Sequence, residues 1–206
     1  MIKGRGPVVH IDRSQKARTI EAVLADFRGG PIEALRTLDI GSGNGGISEH
    51  FARNNRHSAV DVADQRTSGS DSYDFHVVGN ELLPFNDKTF DIVISNHVIE
   101  HVSDQSLHLA EIHRVLRSGG CVYLATPNRS SPIMEGHVGN PKVLRYREMA
   151  PLFERCGFRA TEYGVAVAKQ PDKFYGEVAW AKPLPISVLT LMRPLFPSHI
   201  FVLQRP

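Results

Sequence analysis

The sequence predicts an α/β domain built on a doubly wound, mostly parallel sheet with helices on both faces. Three observations support this fold class. Short apolar runs of strand length recur along the chain, segments with helical apolar spacing separate them, and a glycine-rich turn joins the first strand to the next helix. The 206 residues suit one large domain, so we expect a single folding unit over residues 1–206.

The elements follow one another in a regular order. A helix begins near Ser14 and ends before Gly29 and Gly30, since apolar residues between them recur every three or four positions. The strands that follow are predicted at "LRTLDI", "SAVDV", "DFHVV", "FDIVISN" and "GCVYLATP", with helices at "GGISEHFARN" and "SLHLAEIHRVL". Beyond a polar connection, the helix "YREMAPLFERCG" precedes the strands "FRATEYGVAVA" and "HIFVLQR".

The segment 171–198 is apolar, aromatic and interrupted by prolines. Such a stretch is consistent with a lid over a pocket, a dimer surface, or an ordinary helix packed on the sheet. Residues 183–198 are also a candidate for peripheral membrane contact. We therefore predict a lid or interface insertion here, in a monomer or homodimer.

Composition excludes several classes of protein. Lys and Arg total 24 against 22 Asp and Glu, for a net charge of +2, and the basic residues are scattered, so the sequence carries no strong nucleic-acid signal. Cys121 and Cys156 fall in a strand and a helix end, which suits reduced thiols. No apolar signal core or run of membrane-spanning length is evident, so we expect a cytoplasmic protein.

The segment "LDIGSGNGGIS" at 38–48 carries the strongest chemical signal. A strand that ends in glycines and turns at once into a helix collects backbone N–H groups at one point, where a side chain would block a ligand. Asp61 ends the next strand, twenty residues after Gly41, where a carboxylate can accept from both ribose hydroxyls. Dinucleotides and adenosyl cofactors both carry a ribose. Asp39, directly before the glycines, favours the adenosyl cofactor.

Four successive blocks of the chain resemble the class I S-adenosylmethionine-dependent methyltransferases of the small-molecule type. The blocks are "LDIGSGNG", "AVDVAD", "VVGNELLPFNDKTFDIVISNHVIEHV" and "LAEIHRVLRSGGCVYLATPN". The resemblance implies a three-layer, Rossmann-like sheet of seven strands whose last strand is antiparallel. It also implies S-adenosyl-L-methionine as the cofactor.

The resemblance also implies a set of cofactor-binding residues. One group contacts the methionyl half, Asp61 holds the ribose, Val62 packs on adenine, and Asn96 meets the ammonium group through its backbone carbonyl. The family usually has Asp at the position of Asn80, so the adenine contact falls to Asn80 or Glu81. The methionyl contacts are Asp39, Gly41, Ser42, Gly43 and Gly45.

Two histidines are candidate proton acceptors. His101 matches a histidine often found in the acceptor pocket of the family, and His137 lies in the loop after the fifth strand, above the carboxyl end of the sheet. A structural histidine at 101 and a solvated loop histidine at 137 are the alternatives. "HVIEH" also matches an inverted zinc-protease motif, but it follows directly on a strand instead of lying on a helix, so no metal is predicted.

The predicted function is S-adenosylmethionine-dependent O-methylation of a small-molecule, glycan or lipid-linked acceptor. Three other classes remain open: an N-methyltransferase of tRNA or protein, a NAD(P)-dependent oxidoreductase that uses the same loop, and a non-catalytic interaction subunit with a cofactor fold. Salt-sensitive RNA binding would favour the first of these classes. Binding of NAD(P) would favour the second.

Overall fold

The computed structural model describes residues 13–67, 71–79, 81–128, 143–168, 177–183, 196 and 198–206. Within these ranges the chain forms four helices and eight strands. The helices are α1 (Arg13–Arg28), α2 (Gly46–Ala52), α3 (Gln105–Val115) and α4 (Tyr146–Arg155). The strands are β1 (Arg36–Ile40), β2 (Arg56–Asp61), β3 (Asp74–Val77), β4 (Phe90–Asn96), β5 (Leu116–Pro127), β6 (Arg159–Ala168), β7 (Glu177–Pro183) and β8 (Ser198–Gln204).

The strands form one eight-stranded sheet in the order β3-β2-β1-β4-β5-β8-β6-β7. β1 to β5 pair in parallel, and β8 is antiparallel to both β5 and β6, between which it lies. The α/β class and the antiparallel last strand are therefore confirmed. From β1 the chain adds strands first on one side, to β3, and then on the other side, beginning with β4. In parallel sheets a crevice forms at the carboxyl ends of the two strands where the order changes direction in this way.

The sheet has eight strands where the sequence predicts seven. The additional strand, β7, is antiparallel to β6 at the edge of the sheet and comes from the segment expected to form a lid or interface. Residues 177–183 have the length of a strand, but the prolines near both ends of this run obscured the strand pattern in the sequence. The rest of 171–198, apart from 196 and 198, lies outside the described residues, as do Asn80 and His137.

Two apolar clusters pack on opposite faces of the sheet, as a doubly wound fold requires. One cluster joins the sheet to α3 and α4, and the other joins it to α1 and α2. The two central strands β4 and β5 contribute to both clusters, because their alternate side chains face opposite sides. No helix in the described ranges is long and apolar enough to cross a membrane.

The extra strand ties α1 to the edge of the sheet. Asp26 on α1 accepts a hydrogen bond from the Tyr163 hydroxyl of β6 at 3.1 Å and forms an ion pair with Lys182 of β7. The hydrogen bond from Lys182 holds the pKa of Asp26 below its usual range. The helix that precedes the glycine loop is thus anchored to the far edge of the sheet.

Three histidines are buried among the described residues, and the pKa values of two of them are strongly lowered. His57 of β2 lies 2.7 Å from the Thr37 hydroxyl, and His108 of α3 lies 3.2 Å from the Ser95 hydroxyl. Burial lowers the pKa of His57 to about 3 and that of His108 to about 4. Both rings are therefore neutral in the folded protein at neutral pH.

Candidate cofactor and acceptor site

The glycine loop connects the carboxyl end of β1 to α2. Gly41, Gly43 and Gly45 have φ angles of 71°, 56° and 84°, in the left-handed region that glycine enters without a steric penalty. The loop is fixed by hydrogen bonds from the N–H groups of Gly41 and Ser42 to the Val60 carbonyl, at 2.8 and 3.3 Å. The predicted cofactor loop therefore has a defined shape in the protein alone.

Two of these glycines are also required by their neighbours. A Cβ atom at Gly41 would lie 2.6 Å from Cγ2 of Val98, and one at Gly45 would lie 2.6 Å from the Tyr73 hydroxyl. Val98 and Tyr73 form the wall against which the loop packs. Sequence reasoning did not select them, because their roles depend on contacts between loops distant in the chain.

Two carboxylates brace the loop. Asp39, only 1% exposed, accepts a hydrogen bond from the Ser48 hydroxyl of α2 at 2.8 Å. Asp61 accepts hydrogen bonds from the N–H groups of Gly43 and Val62, both at 2.7 Å. The parallel pairing of β1 and β2 therefore places the second predicted carboxylate directly against the glycine loop.

Apolar side chains are exposed on the loops after β2 and β3. Val62, predicted to pack on adenine, is 73% exposed, and Leu82, which was not selected, is 54% exposed. Exposed apolar side chains beside a polar loop are typical of a ligand surface. Leu82 could have been found in the sequence, because it lies next to the predicted contacts Asn80 and Glu81.

Glu81 is held by the turn before α3. Its carboxylate accepts a hydrogen bond from the Ser103 backbone N–H at 2.8 Å and a second from the Ser103 hydroxyl. These bonds lower the pKa of Glu81 to about 2. Its carboxylate therefore joins two loops at the carboxyl end of the sheet and remains ionised.

Helix α3 fixes the loop that follows Glu81. Glu111 accepts a hydrogen bond from the Leu83 N–H at 2.9 Å. Arg114 donates to the carbonyls of Leu83 at 3.0 Å and Phe85 at 2.7 Å, and its pKa is raised by its hydrogen bonds to Glu111 and Asp87. The exposed Leu82 is consequently presented by an anchored backbone.

The carboxyl end of β4 presents Asn96. Its Oδ1 atom is buried and has no hydrogen-bond partner among the residues that the structure describes. Buried polar atoms are nearly always paired in native proteins, so an orphaned acceptor indicates a ligand or water at this point. The sequence predicted a contact from the backbone carbonyl of Asn96, and the structure adds the side-chain oxygen as a candidate.

A histidine and a buried glutamate follow Asn96. His97 has φ of 58°, its N–H donates to the Ala125 carbonyl at 2.9 Å, and its Nδ1 lies 3.3 Å from Oε1 of Glu100. Glu100 is fully buried and also accepts from the Thr126 hydroxyl at 3.3 Å. Burial acts to raise the pKa of Glu100, but the hydrogen bond from His97 and further favourable contacts outweigh it, and the pKa is lowered.

His101, the predicted proton acceptor, lies at the rim of this cluster. Its side chain is 60% exposed, and its Nε2 is 4.0 Å from Oε1 of Glu100. Residues 97–101 form a turn instead of a helix, so the helical spacing of the inverted zinc-protease motif is not present. The described residues contain no group of three or more His, Cys, Asp or Glu arranged for a metal ion.

The comparisons with known proteins agree with this geometry. Residues 38–124 match the family model described as a methyltransferase domain. A ubiquinone biosynthesis O-methyltransferase from Rhizobium etli is 36% identical over 110 residues, which cover 48% of this chain and 44% of the relative. The chain thus matches less than half the length of that relative.

Solved structures share the fold over nearly the whole chain. A protein of Thermotoga maritima, described as a possible histamine N-methyltransferase, aligns with a TM-score of 0.66 and 17% identity, covering 94% of this chain and 91% of that one. The 1,6-didemethyltoxoflavin-N1-methyltransferase of Burkholderia thailandensis, solved with S-adenosylhomocysteine, aligns with a TM-score of 0.60 and 16% identity over 93% and 79%. Residues 38–124 of the chain thus match a methyltransferase domain, and the chain as a whole shares the fold of these methyltransferases.

Proposed function

We propose that this protein binds S-adenosylmethionine over the glycine loop and transfers its methyl group to a hydroxyl of a small-molecule or lipid-linked acceptor. The observation that carries the proposal is the contact between the left-handed glycine loop and the Asp61 carboxylate. This contact combines a surface without side chains and a carboxylate at one point, which suits a nucleoside with a polar tail.

The residues at this end of the sheet fit the cofactor. Asp61 would accept from the ribose hydroxyls, Val62 and Leu82 would cover the adenine, and Asn96 would receive the ammonium group through its orphaned oxygen. The remaining predicted contacts, Asp39, Gly41, Ser42, Gly43 and Gly45, lie on or beneath the loop that would carry the methionyl group. The cofactor supplies a methyl carbon that its sulfonium sulfur activates toward displacement.

An oxygen acceptor is favoured by the sequence relatives. They are named as O-methyltransferases of ubiquinone biosynthesis, although each match covers less than half of the relative. Alignment of the acceptor with the methyl group supplies much of the catalysis, and a base adds to it for a hydroxyl nucleophile. His101 and His137 remain the bases predicted from the sequence.

Calorimetry with S-adenosylhomocysteine tests the cofactor assignment directly. We expect saturable binding, and thermal stabilisation by the same compound but not by NADH or NADPH. An acceptor panel of hydroxylated aromatic compounds, with and without apolar tails, would then be incubated with labelled S-adenosylmethionine. Absence of S-adenosylhomocysteine binding, or stabilisation by a nicotinamide cofactor alone, would contradict the proposal.

A further inference from the structure

We propose that His97 is the residue that accepts the proton from the acceptor hydroxyl, and that Glu100 is the positioning residue that orients it. The inference rests on the proposed function, because it concerns the acceptor side of the same site. It replaces neither the cofactor contacts nor the glycine loop. It assigns a role to the first histidine and the glutamate of "HVIEH", which the sequence-based function left without one.

The backbone places His97 at the mouth of the site. It directly follows Asn96 at the carboxyl end of β4, and its N–H donates to the Ala125 carbonyl of β5 at 2.9 Å. Its φ of 58° is uncommon for a residue with a side chain. Strained backbone of this kind persists where the surrounding structure fixes it, and it is concentrated at functional sites.

Glu100 determines which nitrogen of His97 carries the proton. The carboxylate is fully buried and lies 3.3 Å from Nδ1, so a neutral His97 donates from Nδ1 to Glu100. The lone pair then resides on Nε2, and the Ser198 hydroxyl at 3.4 Å is placed to donate to it. An acceptor hydroxyl that displaces the Ser198 hydroxyl would donate to Nε2 from the same position.

The exposure of His97 suits this role better than that of His101. The His97 side chain is 29% exposed, so it is held by the protein and still reaches the surface of the site. His101 is 60% exposed and is 4.0 Å from Glu100, beyond hydrogen-bond distance. A general base needs a fixed position relative to the proton that it removes. His97 satisfies this requirement, and His101 lacks a comparable restraint from Glu100.

The charged groups on neighbouring elements are paired with one another. Next to Ser198 on β8, His199 lies 3.0 Å from Glu162 of β6, and both side chains are almost fully buried. Glu81, on the loop after β3, accepts hydrogen bonds from Ser103. Glu100 lies within hydrogen-bond distance of His97, and His101 is a second histidine close to the same carboxylate.

Methyl transfer is coupled to removal of the hydroxyl proton by His97. The acceptor oxygen forms its bond to the methyl carbon as the carbon–sulfur bond breaks, and that electron pair passes to sulfur, which becomes a neutral thioether. The hydroxyl proton moves to Nε2 of His97. The imidazolium is stabilised by the Glu100 carboxylate at Nδ1 and then releases its proton to water.

The first test uses a phenol whose ionisation is visible. Protein saturated with S-adenosylhomocysteine would be mixed with 4-nitrocatechol, and the absorbance of the bound nitrophenolate would be followed against pH. In the wild type we expect the bound phenol to ionise about one pH unit or more below the free compound, because His97 takes its proton. His97→Gln should remove this displacement. An unchanged displacement in His97→Gln, its loss in His101→Gln instead, or no binding of the probe would overturn the proposal.

The second test follows the His97 ring without any ligand. In protein labelled with ¹⁵N-histidine, nuclear magnetic resonance reports the pH at which the ring of His97 gains a proton. Glu100→Gln should lower that pH by about one unit, because an adjacent anion stabilises the imidazolium. Glu100→Asp keeps the negative charge, so the pH at which His97 gains a proton should return part of the way to the wild-type value. This variant also shows whether the change in Glu100→Gln comes from a fold defect. An unchanged His97 titration in Glu100→Gln would refute the positioning role.

A matched pair elsewhere in the fold provides the control. His50 of α2 lies 2.8 Å from Glu21 of α1, in a contact similar to that between His97 and Glu100. Glu21→Gln removes a carboxylate from that contact and should leave the titrations of His97 and of bound 4-nitrocatechol unchanged. Calorimetry with S-adenosylhomocysteine judges the proposed function separately, since we expect His97→Gln to bind that compound as the wild type does.

Discussion

Replacing Gly41 by alanine should damage cofactor binding by an amount that the structure allows us to work out. The residue has φ of 71°, and a non-glycine residue in this region is disfavoured by about 1–2 kcal/mol. The new Cβ would also lie 2.6 Å from Cγ2 of Val98, well inside the 3.5–4.0 Å at which carbon atoms ordinarily meet. The loop must shift to relieve that contact.

Binding must return the loop to its original conformation, which costs the alanine variant about 1–2 kcal/mol of backbone strain. That strain alone should lower the affinity for S-adenosylhomocysteine about 5- to 30-fold. Contact with Val98 should increase the loss, so the double variant Gly41→Ala/Val98→Ala should recover part of the affinity relative to Gly41→Ala. The single variant Val98→Ala is the control that measures how removal of the valine methyl groups by itself changes the affinity. Isothermal calorimetry at constant pH and salt measures all four proteins.

Gly119 provides the matched control for this experiment. Its φ is 77°, nothing lies within 4 Å of a Cβ built on it, and it is near the amino-terminal end of β5, away from the glycine loop. Gly119→Ala should lower the free energy of unfolding by about 1–2 kcal/mol and leave ligand affinity unchanged. Wild-type affinity in Gly41→Ala would refute the reasoning, as would equal affinity losses in the two glycine variants.

Three further predictions follow from the same structure. Asp61→Asn should weaken S-adenosylhomocysteine binding about 10- to 100-fold in calorimetry, because a charge-assisted hydrogen bond contributes about 1.5–3 kcal/mol. Asp74→Asn, at the end of β3 away from Asp61, should leave the affinity unchanged. Similar affinities in both variants would argue against a ribose contact. His57 has a pKa of about 3 when folded against 6.5 ordinarily, so as pH falls below 6.5 the unfolded chain gains a proton that the folded protein excludes, and stability falls. Between about pH 8 and pH 5.5 this contributes a loss of about 1.4 kcal/mol in urea unfolding, which His57→Asn should remove. Arg114→Ala should reduce the free energy of unfolding by about 1.5–3 kcal/mol, since two loop carbonyls lose their donor, and the exposed Arg18→Ala should change it by less than about 0.5 kcal/mol.

Much of the fold could be predicted from the sequence because it depends on local patterns. The apolar runs of β4 and β5 have the length and composition of buried parallel strands, and both are central in the sheet. The glycine loop and Asp61 could be paired in advance because adjacent parallel strands bring their carboxyl ends together. The extra strand β7 was missed because prolines and aromatic residues around it gave the segment no clear period.

The acceptor side of the site was harder to predict. His101 was selected from its position in a resembling block, but the restraint that distinguishes His97 comes from a buried carboxylate and from hydrogen bonds to two other strands. A separation of three residues permits a contact between His97 and Glu100 within one turn. Whether that turn was helical, and which ring faced the site, depended on tertiary contacts. Val98 and Tyr73 were missed for the same reason.

The position of β8 has a consequence for how the protein forms during synthesis. This strand lies between β5 and β6, although both of those strands are translated before it. A nascent chain that has reached only residue 190 therefore has a gap in the middle of its sheet, and Ser198 is not yet beside His97. Such late, non-local pairing slows folding and leaves strand edges open to other chains. Released chains that end before β8 should accordingly be far more sensitive to protease than released chains that include it.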